Sequence, residues 1–279
     1  VWAAEKSRAN PFIPYAATIS AVRELTLDVN LFQVELADGG GFAYRPGQFA
    51  FLSAFGVGEA PFSITSLHAE GGPMEFAIRR VGTVSAALFD MEPGSLVGVR
   101  GPFGNCFPLE DFKGKNLVII GGGIGLAPLR PIIKTTLGRR SDFGDLLIIY
   151  GARTAQDLVF ATEFEDWAAV PGARLELTVD REGPGWDGRV ALVPAVIKEL
   201  QPAAENTVAI ICGPPIMIRF VLAELKALGF ENHQIVTTLE SKMKCGMGKC
   251  ARCNIGEKYV CQDGPVFTFD QISGFLEQL

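Results

Sequence analysis

Apolar and polar residues alternate in one way along the first part of this chain and in another after residue 115. Before that point, short segments at 18–22, 31–36, 48–53, 62–65, 75–79 and 96–101 are rich in β-branched and aromatic residues and often alternate in polarity. Turn-forming clusters separate them: DGGG at 38–41, RPG at 45–47, EGGP at 70–73, EPG at 92–94 and GPFG at 101–104. Short strands at this spacing predict a closed or sandwiched antiparallel sheet. One helix is expected among them, at 84–90, just after Gly82 and Thr83.

Beyond residue 115 the apolar runs become continuous, at 117–120, 146–150, 175–179 and 208–212, as expected of strands covered on both faces. Helix-length segments lie between and after them, at 126–137, 161–168, 190–200 and 215–228. Alternating strand and helix of this length predict a parallel sheet with right-handed crossovers. One more strand is expected at 236–239, and a short helix from Asp270 near the end. The expected organisation is an extension (1–14), an antiparallel β-barrel (15–112), an α/β parallel-sheet domain (113–239) and a small C-terminal lobe (240–279). No long linker separates them, so they should pack closely.

Composition narrows the function classes. The chain has 279 residues, 48% of them hydrophobic, which is ample for more than one core. Its 25 basic and 31 acidic residues give a net charge of −6, with no basic run long enough to follow a nucleic-acid backbone. The most apolar stretch, 117–129, is broken by four glycines and a proline, so no membrane span is expected. The start carries no secretory-signal pattern.

The chemistry is concentrated in the cysteines. Four of the six, Cys245, Cys250, Cys253 and Cys261, follow the spacing C-x4-C-x2-C-x7-C. This begins like the ligand set of a plant-type [2Fe–2S] centre. Gly246, Gly248 and Gly256 lie among them, where backbone must approach the sulfurs and donate to them. Four cysteines also suit zinc, but zinc sites usually pair two short C-x2-C elements and only one is present. An iron–sulfur loop argues for a reducing interior, in which Cys106 and Cys212 are free thiols; the expected location is cytoplasmic.

Other segments could hold a dinucleotide. Gly121, Gly122, Gly123, Ile124 and Gly125 follow a strand and open a helix; this is either a tight turn or a cradle of amides for a diphosphate. Arg79, Gly82, Thr83 and Ser85 fit either an ordinary helix cap or a second phosphate site. Pro61, Phe62, Ser63 and Thr65 read as a barrel strand or as the edge of a flat heterocycle's site. Cys212, Gly213, Pro214 and Met217 close the last long parallel strand, at the edge where open α/β sheets bind ligands. Cys212 is there either a core thiol or a contact for a nicotinamide. After the second and third parallel strands, Asp180 suits ribose hydroxyls, whereas Arg153 and Arg181 suit a 2′-phosphate. Neither His68 nor His233 falls in a motif. Around the cysteines, Lys242, Lys244, Lys249, Arg252 and Lys258 outnumber Glu240 and Glu257, giving either a solvated loop or a docking face for an acidic partner.

In this order, RPGQF (45–49), PFSIT (61–65), GGGIGLAPLRP (121–131), YGAR (150–153) and CGPPIM (212–217) resemble the ferredoxin–NADP reductase superfamily over nearly the whole chain. CGMGKCARCNIGEKYVCQDGPVF resembles its cluster-bearing electron-transfer subunits, and GEAPFSI (58–64) with CNIGEKYVCQDGPVF (253–267) the hydrogenase gamma type. Related types are the dihydroorotate dehydrogenase electron-transfer subunit and the small subunit of NADH-dependent ferredoxin–NADP oxidoreductase. The resemblance implies FAD, a [2Fe–2S] cluster and NAD(P)(H). It places Phe62, Ser63 and Thr65 at the flavin ring and Gly82, Thr83 and Ser85 at its pyrophosphate. It assigns Gly121 to Gly125 to the nicotinamide nucleotide's diphosphate, and sets Cys212 near the nicotinamide. Ala60 departs from the family, many of whose members carry an arginine there to compensate the flavin phosphates; Arg79, Arg80 or the helix start would take that part.

The implied activity is that of a diaphorase subunit, exchanging hydride with NAD(P)(H), with a lean to NADP(H). Single electrons would pass to or from iron–sulfur or metal-containing partners in a complex such as a hydrogenase. The alternatives are a stand-alone reductase of a diffusible acceptor, a dihydroorotate dehydrogenase subunit, or a redox-responsive subunit that no longer turns over.

Overall fold

A computed structural model describes residues 10–41, 43–68 and 72–274. Part of the expected extension, part of the EGGP turn and the end of the tail lie outside the described residues.

Six antiparallel strands build the first domain: β1 (Tyr15–Thr26), β2 (Val29–Leu36), β3 (Phe49–Ala54), β4 (Gly58–Ser63), β5 (Met74–Arg79) and β6 (Leu96–Phe103), in the order β4-β3-β6-β1-β2-β5. The two end strands meet where Thr65, just past β4, donates its N–H to the carbonyl of Glu75 in β5 at 2.8 Å and closes the sheet into a barrel. Alternation divides β3 between two cores. Ala50, Leu52 and Ala54 join Ile19, Phe32 and Phe76 inside the barrel, whereas Phe49 and Phe51 are buried on its outside. Helix α1 (Thr83–Phe89) packs on β3 and β4 and adds Leu88 to the barrel core.

The second domain is a parallel sheet: β7 (Asn116–Gly122), β8 (Leu146–Ala152), β9 (Ala173–Val179), β10 (Arg189–Val190), β11 (Thr207–Cys212) and β12 (Ile235–Thr238). Helices α2 (Leu126–Gly138), α3 (Phe164–Ala168), α4 (Val193–Leu200) and α5 (Pro215–Ala227) connect the strands. The continuous apolar run of β7 has a simple cause. Leu117 and Ile119 enter one core cluster and Val118 and Ile120 another, one on each face of the sheet. The spatial order β10-β9-β8-β7-β11-β12 reverses direction between β7 and β11. At such a switch point the connections leave in opposite directions and open a crevice at the carboxyl ends of the strands.

The C-terminal segment continues this sheet. After β13 (Asn254–Ile255), β14 (Lys258–Tyr259) and α6 (Val260–Asp263) comes β15 (Val266–Thr268), then α7 (Phe269–Ile272). Strand β15 pairs antiparallel with β12, Thr237 opposite Phe267, as a seventh strand. The strand and the helix after it occupy the tail, from which only a helix was expected. A second difference is β10, which takes the start of the helix expected at 190–200, so that α4 begins at Val193. Among the described residues, no helix is long and apolar enough to cross a membrane.

Candidate functional site

The glycine turn and the CGPPIM loop meet in the crevice. Gly121 and Cys212 are opposite each other at the ends of β7 and β11, so the two turns leave the sheet side by side. A Cβ on Gly125 would fall 2.5 Å from the Cys212 carbonyl oxygen, and one on Gly122 2.3 Å from the Met217 sulfur. Gly123 takes a φ of +53°, which favours glycine. Its carbonyl accepts from the buried Tyr150 hydroxyl at 3.1 Å, and that hydroxyl accepts the Val159 N–H at 3.0 Å. Burial pushes the Tyr150 phenol well above its usual range, so it remains a donor. The turn that leads into α2 is thus held by packing and hydrogen bonds, leaving Gly123 and Ile124 partly open.

Cys212 sits beneath this crevice. Its thiol accepts from the Thr238 hydroxyl at 2.9 Å, and burial pushes it up to about 12, which keeps it protonated. Gly213 is partly exposed and Pro214 exposed beside it. Asp180, Arg181 and Arg153 are all exposed where β8 and β9 end, tied by backbone bonds from Asp180 N–H to the Ala152 carbonyl and from Arg181 N–H to the Arg153 carbonyl. Burial raises the Asp180 carboxyl, against the pull of Arg181 and Arg153. An open hollow of about 490 Å³, lined by Glu182, Trp186 and Asp187 among others, adjoins this edge.

The barrel supplies the opposite wall. Pro61, Phe62 and Ser63 are half-buried on the edge strand β4. Arg79, at the end of β5, reaches across to the glycine turn: its Nη2 lies 3.9 Å from where a Gly123 Cβ would be. Its Nε is buried and pairs with an Asp28 carboxylate oxygen at 3.2 Å, which leaves the Nη2 end beside the turn. A guanidinium edge beside an amide-lined turn fits a diphosphate-bearing ligand.

Two of the expected hydroxyls also bond within the chain. The Thr65 hydroxyl is fully buried and donates to the Glu75 carbonyl at 3.0 Å. The Ser85 hydroxyl accepts from the Val81 and Gly82 amides at 3.0 and 2.9 Å, capping α1 locally. Gly82 and Thr83 remain exposed.

Two buried arginines to which the sequence reading gave no role hold the parts together. Arg130 of α2 donates to the Thr65 carbonyl at 2.9 Å and to Glu75 at 2.5 Å, and grips Glu163 at 2.6 and 3.0 Å. Arg100 of β6 grips Glu59 of β4 and donates to the Lys244 and Cys245 carbonyls. Asn105 completes the seam, donating to the Asp263 and Val266 carbonyls and accepting from the Val266 N–H.

The four cysteines are not equivalent. Cys245, Cys253 and Cys261 are buried, whereas Cys250 is exposed. The amides of Met247, Lys249 and Cys250 point at the Cys245 sulfur at 3.4, 3.2 and 3.4 Å, and that of Gly248 at the Cys261 sulfur at 3.1 Å. Burial raises the Cys245 thiol, but these amides and the Cys250 thiol outweigh it and bring it to about 7. Among the described residues, no three His, Cys, Asp or Glu side chains gather closely enough to hold a single ion. Four cysteines on one loop under a fan of amides fit a metal–sulfur centre, whose cations would relieve the crowding of thiolates.

Comparison with known proteins agrees with these three regions. Residues 16–107 match the oxidoreductase FAD-binding domain and 119–223 the oxidoreductase NAD-binding domain. Residues 240–273 match the iron–sulfur cluster binding domain of dihydroorotate dehydrogenase B. Sulfhydrogenase 1 subunit gamma of Pyrococcus furiosus is 37% identical over 94% of this chain and 93% of its own. The probable dihydroorotate dehydrogenase B (NAD(+)) electron transfer subunit of Thermococcus kodakarensis is 32% identical over 93% and 98%. The chain belongs to this family of electron-transfer subunits. It is an NAD(P)H-dependent flavin oxidoreductase subunit with an iron–sulfur domain. The fold is shared with a solved NADH-dependent reduced ferredoxin–NADP oxidoreductase, TM-score 0.75 at 24% identity, covering 98% of this chain and 95% of the other. It also resembles the Amycolatopsis cytochrome P450 reductase GcoB, TM-score 0.69 at 29% identity, over 79% of this chain and 68% of that one.

Proposed function

We propose that the chain serves as the nicotinamide-linked subunit of a larger oxidoreductase, such as a hydrogenase, and passes single electrons to or from its partner through a [2Fe–2S] centre. The observation that carries the reading is the C-x4-C-x2-C-x7-C loop itself, three of its four cysteines buried and four backbone amides aimed at its sulfurs, a donor set that would suit a [2Fe–2S] centre. A bound flavin supplies the exchange between a two-electron hydride donor and a one-electron acceptor. The chain's own residues hold the ligands. The open amides at Gly123 and Ile124 and the start of α2 receive the dinucleotide's diphosphate, with Gly121, Gly122 and Gly125 setting the turn. Arg79 offers its Nη2 end at the seam, and Gly82 and Thr83 the exposed edge of α1. Pro61, Phe62 and Ser63 flank the flavin ring; Gly213, Pro214 and Met217 border the nicotinamide. Asp180, Arg153 and Arg181 surround the ribose, and the two arginines favour a 2′-phosphate.

Cys253→Ser tests this. The variant is expected to keep its yellow chromophore and NAD(P)H-dependent dye reduction, while losing iron and the reduction of a one-electron protein acceptor. The loss should exceed roughly 100-fold, the upper end for removing an outer partner of a metal ligand. Full iron and undiminished transfer in the variant, or a wild-type protein that binds zinc instead, would overturn the reading.

Cys250 is the exposed thiol of the set, flanked by exposed Lys249 and Arg252 with Lys242 and Lys244 nearby in sequence. In a chain of net charge −6 this local excess of positive charge suits an acidic partner surface. Reversing Lys249 and Arg252 to glutamate should weaken partner association steeply at low salt and far less at high salt. An unchanged affinity and salt slope would remove the docking role.

A further inference from the structure

Arg100 joins the strand assigned to the flavin with the loop assigned to the cluster. Only 2% of it is exposed, and its guanidinium serves both sides. Nε and Nη2 form a fork on the Glu59 carboxylate at 2.9 and 2.6 Å, and Glu59 lies in β4, two residues before Pro61. Nη2 also donates to the Lys244 carbonyl at 3.3 Å, while Nη1 donates to those of Cys245 at 3.2 Å and Pro11 at 3.3 Å. The Phe51 and Phe103 rings lie 4.6 and 5.5 Å from its central carbon, with Phe12 at 5.9 Å. The cysteine loop presses on the same rings: a Cβ on Gly246 would fall 2.8 Å from Phe51.

We propose that Arg100 is a positioning residue that fixes the first cluster thiolate, Cys245, relative to the flavin-bearing strand; this rests on the assignment of a cluster under Proposed function. Three physical arguments support it. Burying a guanidinium is costly and its Glu59 partner is a third exposed, so the pair is a poor adhesive where well-packed apolar side chains would hold these rings at least as well. What the guanidinium adds is direction, because its planar fork fixes carboxylate and carbonyls in one rigid arrangement. It also grips the carbonyls of two successive residues, Lys244 and Cys245, which orients the backbone from which the Cys245 sulfur projects. That sulfur then receives the amides of Met247, Lys249 and Cys250. Arg100 therefore acts on Cys245 from the carbonyl side, while the loop's own amides act on the thiolate itself.

The test uses the full chain with its bound groups, comparing wild type with Arg100→Met, Arg100→Lys and Glu59→Gln. Iron and flavin per chain are measured first. The electron paramagnetic resonance spectrum and midpoint potential of the reduced cluster follow, then the rate of cluster reduction after mixing with NAD(P)H. Flavin bleaching in the same traces reports on the barrel and crevice separately. Arg100→Met is expected to alter the resonance line shape and slow cluster reduction roughly 10- to 100-fold, the range for outer partners of metal ligands. Arg100→Lys, which keeps charge but not the fork, should recover only part of the rate. Glu59→Gln should shift spectrum and rate in the same direction by less. A wild-type spectrum, potential and reduction rate in Arg100→Met overturns the proposal; if that variant does not fold, the same result in Glu59→Gln does so. Absence of iron from the wild-type protein would instead sink the cluster assignment, and this proposal with it.

Discussion

Arg130→Met is expected to destabilise the protein by about 3–5 kcal/mol, the usual cost of removing one partner from a buried ion network. Arg130 is 3% exposed, and both its carboxylate partners are mostly covered, with 15% of the Glu75 side chain and 16% of Glu163 exposed. The two acids belong to different domains: Glu75 to barrel strand β5, Glu163 to the segment before α3. Methionine fills much of the volume and keeps contact with Phe160, whose ring lies 4.7 Å from the guanidinium. It removes the guanidinium from between two facing carboxylates and the Thr65 carbonyl, leaving Glu75 only the Gln33 amide at 3.1 Å and Glu163 only Arg23 at 3.9 Å. Denaturant unfolding followed by a flavin signal and by circular dichroism would measure the loss. A change of less than about 1 kcal/mol, the worth of a surface pair, would show that water already screens the network.

The same network gives a pH dependence. Burial alone would raise the Glu75 carboxyl, but the hydrogen bond and charge of Arg130 outweigh it and hold it below the usual 4.5. A depressed folded value means that the stabilisation is complete above the unfolded value and disappears as pH falls through the folded one. The wild-type protein should therefore lose this contribution only below the ordinary glutamate range. In Arg130→Met the unpaired carboxyl can take a proton at higher pH, so the stability gap between the two proteins should narrow on acidification. A gap independent of pH between neutral and about pH 4 would show that Glu75 is not the group left unpaired.

Gly125→Ala is the second large effect. At φ −60° the backbone tolerates alanine, so the cost is steric. The new methyl would lie 2.5 Å from the Cys212 carbonyl oxygen and 2.7 Å from the Gly213 Cα, both backbone atoms. Neither can retreat easily, because β7 and β11 are paired up to Gly121 and Cys212. Overpacking of this kind costs about 1–3 kcal/mol, which as lost NAD(P)H affinity is roughly five- to 150-fold. Gly138→Ala, at the far end of α2 with nothing within 4 Å of the added carbon, is the neutral control. Equal nucleotide dissociation constants in the two variants would show that the turn can part from the CGPPIM loop without consequence.

Legibility in the sequence followed the range of the interactions. The change of period near residue 115, the glycine turn and the cysteine spacing are local patterns, and each corresponds to a compact element. The roles of Arg100, and of Arg130 within GGGIGLAPLRP, went unread because they lie in distant partners: Cys245 is 145 positions from Arg100, and Thr65 is 65 from Arg130. An isolated buried arginine has no signature until the fold brings its acceptors around it. Thr65 and Ser85 show the converse. A hydroxyl in a promising motif can serve a ligand or its own backbone, and here both bond to nearby peptide groups. Strand β15 escaped notice because three residues, Val266–Thr268, carry too little pattern to separate strand from loop.

Strand β15 also determines how far the chain could be shortened. With residues beyond Thr238 removed, β12 would become a bare sheet margin, its Val236, Thr237 and Thr238 backbone groups open to any extended peptide. The iron-binding segment is thus a selvedge woven into the nucleotide domain, and a lineage that discarded it would first have to hem that border by other means.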